Sequence, residues 1–119
     1  MKCTEAEWSV LSILWSGERF SLGEITKELQ AVNKWSKNTV YTYLRRMEAK
    51  GLVHIDHAQT RPYAAAVSRE ACAKQERDTL LNKVYGGATG DLIAAFLKES
   101  TISQQELERL RRMLDEMEV

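Results

Sequence analysis

A mainly α-helical chain with one small β-hairpin is predicted by three features of the sequence. Capping residues precede three amphipathic stretches in the first half of the chain. The apolar spacing then changes from helical to alternating after Gly51, and from Ser68 onward it is helical again with no further strand signal.

Thr4 and Glu7 make a capping box, in which a hydroxyl and a carboxylate satisfy two of the N–H groups that a helix start leaves open. The helix they open, TEAEWSVLSILW, has Trp8, Leu11, Leu14 and Trp15 as its apolar stripe and stops near Gly17. Ser21 and Glu24 repeat the pattern for SLGEITKELQ, with Leu22, Ile25 and Leu29 inward. Ser36 is the N-cap of a third helix, WSKNTVYTYLRRMEAKGLV; Trp35 is placed to staple onto Val40, and Gly51 supplies the stop. At about 100° per residue, Val40, Tyr43, Leu44 and Met47 share one side of this helix. Asn38, Thr42 and Arg45 centre the other, flanked by Tyr41 and Arg46.

Beyond Gly51, Val53 and Ile55 alternate with His54 and Asp56, and Tyr63, Ala65 and Val67 alternate after a polar turn from His57 to Arg61. Pro62 has no N–H to donate, which places it at the start or the exposed edge of the second strand. Three helices followed by a two-stranded wing make a winged helix-turn-helix, here residues 1–67.

Residues 68–119 are read as a helical dimerisation domain. Ser68 caps SREACAKQERDTLLNKVYGG, GDLIAAFLKES follows, and Ser103 with Glu106 forms a third capping box before QQELERLRRMLDEMEV. Leu107, Leu110, Leu114 and Met117 are spaced close to a heptad seam. The segment is short for a core of its own, yet its three helices carry apolar stripes. A second copy packed on Leu80, Leu81, Val84, Tyr85, Leu92, Ile93, Phe96, Leu97, Leu107, Leu110 and Leu114 is expected, with two-fold symmetry as the default. The alternative is that these helices fold back on their own winged helix.

With 119 residues, 44% of them apolar, the chain suits one or two small domains and is not disordered. It has no run of about 18 apolar residues to cross a bilayer. The start, MKCTEAEWSV, is too acidic for a signal peptide, so a cytoplasmic protein is expected. Cys3 and Cys72 lack metal-site spacing and read as reduced, non-catalytic thiols. His54 and His57, at i and i+3 of a strand, project to opposite faces and make no shared metal site. No nucleophile triad, supported carboxylate pair or glycine-rich phosphate loop is present, so neither catalysis nor a cofactor is expected.

The net charge of zero conceals an uneven distribution: between residues 34 and 50, Lys34, Lys37, Arg45, Arg46 and Lys50 face only Glu48. A local basic face on a neutral chain suits double-stranded DNA. Arg45 or Arg46 can engage guanine, Asn38 adenine, and the methyl of Thr39 or Thr42 the thymine methyl. Backbone N–H groups from Ser36 to Asn38, with Lys37 beside them, suit a phosphate at the helix start, and Arg61 in the wing suits another. The candidate DNA-binding set is therefore Ser36, Lys37, Asn38, Thr39, Tyr41, Thr42, Arg45, Arg46 and Arg61. A winged-helix module that binds protein and never DNA is the second reading; binding that survives high salt and ignores Arg45 and Arg46 is its signature.

The ordered blocks TEAEWSVLSILW, WSKNTVYTYLRRMEAKGL, RPYAAAVS, NKVYGGATGDLIAAFLKES and SQQELERLRRML resemble the penicillinase-repressor family, BlaI/MecI/CopY, across nearly the whole chain. The resemblance implies a dimeric repressor with an N-terminal winged helix and C-terminal helices that interlock between subunits. It puts Asn38, Thr39, Tyr41, Thr42 and Arg46 in the recognition helix. Tyr43 departs from the family's usual aliphatic residue and is expected to alter helix packing slightly. In the β-lactam branch a membrane-bound sensor protease triggers cleavage in the C-terminal domain. By similarity the bond here is Ala95 to Phe96, with Ala95 in place of the family's Asn. The copper-responsive branch ends in a cysteine-rich tail that EMEV does not resemble, so a copper sensor of that type is not expected.

Overall fold

The computed structural model describes residues 3–99 and 101–117. The ends of two helices read from sequence, at Ser100 and at Glu118 and Val119, lie outside these residues. The elements run α1 (Glu5–Leu14), α2 (Leu22–Asn33), α3 (Lys37–Ala49), β1 (Val53–Ile55), β2 (Tyr63–Ala65), α4 (Arg69–Tyr85), α5 (Thr89–Glu99) and α6 (Gln104–Glu116). The fold is mainly α with a small β-wing, as the sequence predicts.

Local chemistry sets the helix starts. Both N-terminal capping boxes close reciprocally: Thr4 N–H reaches Glu7 Oε1 at 2.9 Å and Glu7 N–H reaches Thr4 Oγ1 at 3.2 Å. Ser21 and Glu24 do the same at 3.0 and 3.1 Å. The expected third box is only half formed. Ser103 Oγ accepts the Glu106 N–H at 3.1 Å, but the Glu106 carboxylate lies along the helix, 3.9 Å from Arg109. Gly51 ends α3 as predicted, in the left-handed conformation at φ 79° that a side chain would strain. Leu52 N–H bonds Met47 O at 2.9 Å and Gly51 N–H bonds Glu48 O at 3.0 Å, a Schellman turn that buries Leu52 beside Met47.

The wing is antiparallel, with Val53 opposite Ala65, His54 opposite Ala64 and Ile55 opposite Tyr63. It is not confined to two strands. Phe20 pairs with Tyr63 on the far side of β2, each N–H bonding the other's carbonyl at 2.8 and 3.0 Å, so β2 is sandwiched between β1 and Phe20. Pro62 precedes β2, where its missing donor costs nothing, and its carbonyl accepts the Asp56 N–H at 2.9 Å.

The chain divides into two compact units, residues 1–78 and 79–119, with α4 running through the division. The first has a dense core: Val10, Leu11, Leu14, Ile25, Val40, Leu44, Met47 and Leu52 are almost wholly buried. The stripe read for α1 needs one correction. Val10 belongs inside, whereas Trp8 and Trp15 pack edge to face at its margin, ring centres 5.3 Å apart. The physical reason is that α1 is covered by α2 on one side and by α3 and β2 on the other, so adjacent residues Val10 and Leu11 both bury. An indole N–H needs an acceptor, and Trp15 finds Val67 O at 2.9 Å. In the second unit, α5 and α6 bury no residue, and Ile93, Phe96, Leu97, Met113 and Leu114 are exposed.

One buried charge ties α1 to the end of α3. Lys50 Nζ lies 2.7 and 2.8 Å from the two oxygens of Glu7, whose side chain is 6% exposed. Lys50 is thus committed to the fold and does not add to the basic face as the sequence suggested. Burial pushes the Glu7 carboxyl up, but the hydrogen bonds from Lys50 and Thr4 outweigh it and hold the group below its ordinary range. Glu7→Gln should cost about 1–2 kcal/mol at neutral pH, moderated by the partial exposure of Lys50. A folded-state pKa below the unfolded value means this stabilisation is complete at neutral pH and is lost as pH falls through the folded value. Urea midpoints of the wild type and the variant should therefore converge as pH drops below 4.5, the carboxyl's ordinary value.

Candidate nucleic-acid interface

On the apolar side of α3, Val40, Leu44 and Met47 are fully buried and Tyr43 is half-buried, which turns the polar side outward. Ser36 caps the start: its Oγ accepts the Thr39 N–H at 3.2 Å and lies 3.0 Å from Thr39 Oγ1. Trp35, packed against the core, also stacks on Tyr43, with centroids 4.7 Å apart and planes 9° from parallel. The aromatic departure at position 43 therefore has a structural role, because an aliphatic side chain offers no face to stack on.

Among the candidate residues, Ser36, Lys37, Asn38, Tyr41, Thr42, Arg45, Arg46 and Arg61 are exposed and Thr39 is half-buried. The outward face of α3 has two flanks. Asn38, Thr39, Thr42, Tyr43 and Arg46 line a shallow concavity of 260 Å³. Within it the Thr42 hydroxyl donates to Asn38 O at 2.9 Å, so its proton is already engaged. On the other flank Arg45 Nη1 donates to the Tyr41 hydroxyl at 3.0 Å, and the guanidinium carbon sits 5.8 Å from the Tyr41 ring centre. The wing lies within electrostatic reach of this flank. Burial pushes the Tyr63 phenol up, Tyr41 and Glu48 add to the shift, and Arg45 opposes it.

Arg61 stands apart from both flanks, its Nε 3.0 Å from Glu24 Oε1 at the start of α2. The Ser21 N–H first, and Arg61 after it, hold the Glu24 carboxyl below its ordinary range against desolvation. Arg19, which sequence reasoning missed, clamps the wing: Nε and Nη2 donate to the carbonyls of Arg61 and Pro62, both at 2.7 Å. These contacts span more than forty residues and leave no local signature. An extended aromatic, Phe20, just before an N-cap was the available hint.

His54 is exposed on β1, whereas His57 lies in the turn beyond it, so the two do not share a strand as expected. The two cysteines, distant in sequence, become neighbours. Cys72 is buried, and burial first and Cys72 next push the Cys3 thiol up to about 11. A thiol that stays protonated is a poor nucleophile, in keeping with a non-catalytic reading. In the second unit Leu80, Val84, Ile93, Phe96, Leu97 and Leu114 are exposed, while Leu81, Tyr85, Leu92, Leu107 and Leu110 are half-buried. The Ala95 to Phe96 bond lies inside α5, with Phe96 exposed.

A capped helix with a buried apolar side, an outward face of Asn, Thr, Tyr and Arg, and a wing clamped beside it together define a winged-helix DNA-binding protein. Comparison with known proteins refines this class. The penicillinase repressor family model matches residues 3–116, and the chain belongs to that family of transcriptional repressors. It is 30% identical over 115 residues to the methicillin resistance regulatory protein MecI of Mammaliicoccus sciuri, covering 94% of this chain and 92% of that protein. To the penicillinase repressor of Staphylococcus aureus it is 28% identical, with 94% and 90% covered. The solution structure of the DNA-binding domain of the repressor BlaI is similar at a TM-score of 0.49 and 27% identity, over 58% of this chain and 90% of that one.

The Ser36 cap carries the start of the outward face. Ser36→Ala should cost about 1 kcal/mol of stability. Amide hydrogen exchange should accelerate selectively in the first turn of α3, with the amides of Leu44 and Met47 keeping their protection relative to global unfolding; uniform acceleration would remove the cap's local role.

Proposed function

We propose that the protein is a homodimeric, cytoplasmic repressor that places two copies of α3 in successive major-groove faces of a pseudo-palindromic operator, about 34 Å or a multiple of it apart. The observation that carries this reading is the outward face of α3, with Asn38, Thr42, Arg45 and Arg46 exposed beside the wing in a chain of the penicillinase repressor family. Ser36, Lys37 and Arg61 supply phosphate contacts, and Asn38, Thr39, Tyr41, Thr42, Arg45 and Arg46 meet the bases or the adjoining backbone. That the relatives are named as repressors of penicillinase and regulators of methicillin resistance supports repression as the outcome of binding.

The dimer is supported by the exposure of the second unit's helices: among its described residues none is buried. Exposed Ile93, Phe96, Leu97 and Leu114 gain about 25 cal/mol for each Å² of apolar surface removed from water, and a second copy is the surface at hand. One half-site offers half the phosphate and base contacts, so loss of the second subunit is enough to release the operator. Induction acts through the C-terminal helices. A sensor protease system in the membrane that leads to cutting of the Ala95 to Phe96 bond would sever α5 and dissolve the dimer. Because the bond is helical, cutting requires α5 to unwind locally. Among the described residues no helix is long and apolar enough to cross a membrane, so the sensor is a separate molecule in this scheme.

Titration of the full chain against a duplex selected from a randomised pool tests the proposal. Sigmoidal, salt-sensitive binding to a two-fold-symmetric site is expected; no selection, or binding indifferent to salt, favours a protein-interaction module. Arg46→Ala should weaken binding to the selected site by about 1–3 kcal/mol; unchanged affinity and unchanged salt slope would remove Arg46 from the interface. A fragment ending at Tyr85 should sediment as a folded monomer with weak, salt-dependent binding. Tight operator binding by that monomer would refute release through loss of the dimer.

A further inference from the structure

The two flanks of α3 are not equivalent, and the difference assigns a role. In the Asn38 to Arg46 concavity, Thr39 and Thr42 hydroxyls are engaged with the helix's own cap and backbone. On the opposite flank an arginine is held by a second side chain. Arg45 Nη1 donates to the Tyr41 hydroxyl at 3.0 Å, with its guanidinium carbon 5.8 Å from the Tyr41 ring centre. The two residues are four apart and therefore stand one above the other on the same face. Both are exposed, so the contact is made on the surface available to a ligand.

Resting on the DNA-binding reading above, we propose that Tyr41 is a specificity-determining residue, which pre-orients the Arg45 guanidinium so that the pair reads one guanine in the operator half-site. The chemistry favours this base. The hydroxyl accepts from Arg45 and so acts through it, leaving the remaining guanidinium N–H groups, which are donors only, to meet the base. Guanine offers two adjacent acceptors, N7 and O6, in the major groove; adenine offers one beside a donor, and cytosine presents a donor. A long, free arginine loses rotamer freedom when it binds, and one already held at its tip loses less. Among the described residues no hydrogen bond to a neighbouring side chain holds Arg46 on the other flank as Tyr41 holds Arg45.

The test uses the full chain and duplexes selected from a randomised pool, with wild type, Tyr41→Phe, Arg45→Ala, Arg45→Lys and the Tyr41→Phe/Arg45→Ala double variant. Tyr41→Phe keeps the ring and removes the hydroxyl that accepts from Arg45. Wild type should select a guanine at one half-site position. Arg45→Ala should lose that preference alone, about tenfold in affinity for the selected site, with other positions and the salt slope retained. Tyr41→Phe should relax the same position by a smaller factor, about threefold, and add nothing in the Arg45→Ala background. Arg45→Lys should fail to restore the preference, because a point charge lacks the fork. The assignment is overturned if Tyr41→Phe selects the wild-type site with wild-type affinity, if its effect adds to that of Arg45→Ala, or if Arg45→Ala lowers the salt slope by about one unit while every base preference survives, which marks a phosphate contact. A wild-type protein that selects no sequence overturns the operator reading itself, and this is seen before any variant is compared.

Discussion

Burial of the inner side of α3 is the constraint on which the rest of this protein depends. Val40, Leu44 and Met47 are fully buried against α1, α2 and β1, so the helix cannot rotate without exposing them. Fully burying a side chain of this size contributes about 1.5–3 kcal/mol, and three at helical spacing define the rotation of the helix. The outward set follows from that rotation, since every polar residue on α3 is placed by what its apolar neighbours require. Both ends are secured as well. Trp35 stacks on Tyr43 near the start, and at the far end the Schellman turn at Gly51 and the Lys50 to Glu7 pair hold the helix against α1.

A dense core in the first unit contrasts with the exposed helices of the second. Residues 1–78 contain a core that satisfies three helices and the wing, and among the described residues no buried side-chain polar atom is left without a partner. In α5 and α6 apolar residues are spaced at helical intervals but none is buried. The outward face of α3 thus stands on a packed core, whereas the apolar faces of α5 and α6 remain at the surface.

Charge along the chain and charge on the surface are different quantities in this protein. Counting placed five basic residues near α3, but a count does not distinguish a cation facing solvent from one facing a buried carboxylate. Lys50, one of the five, belongs to Glu7; Arg61, in the wing and outside that count, carries Glu24 beside it. The basic residues near α3 that are not committed to the fold are fewer than the count implied, and one of them, Arg45, is held by Tyr41.

By itself the sequence determined the elements whose causes are local. Thr4 with Glu7, Ser21 with Glu24, Ser36 and Gly51 act within a few residues of themselves, and the periods of 3.6 and 2 divide inward from outward wherever one face is covered. The tertiary structure alone decided everything that joins distant segments. Phe20 adding to the wing, Arg19 gripping the carbonyls of Arg61 and Pro62, Glu7 drawing in Lys50, and Cys3 meeting Cys72 depend on how α1, the wing and α4 come together. Val10 displaced the flanking tryptophans from the centre for the same reason: α1 is packed on two sides, and a one-sided stripe cannot express that. Capping is a short-range hydrogen bond whose partner is written nearby in the chain, whereas packing partners are chosen by geometry that no local pattern encodes.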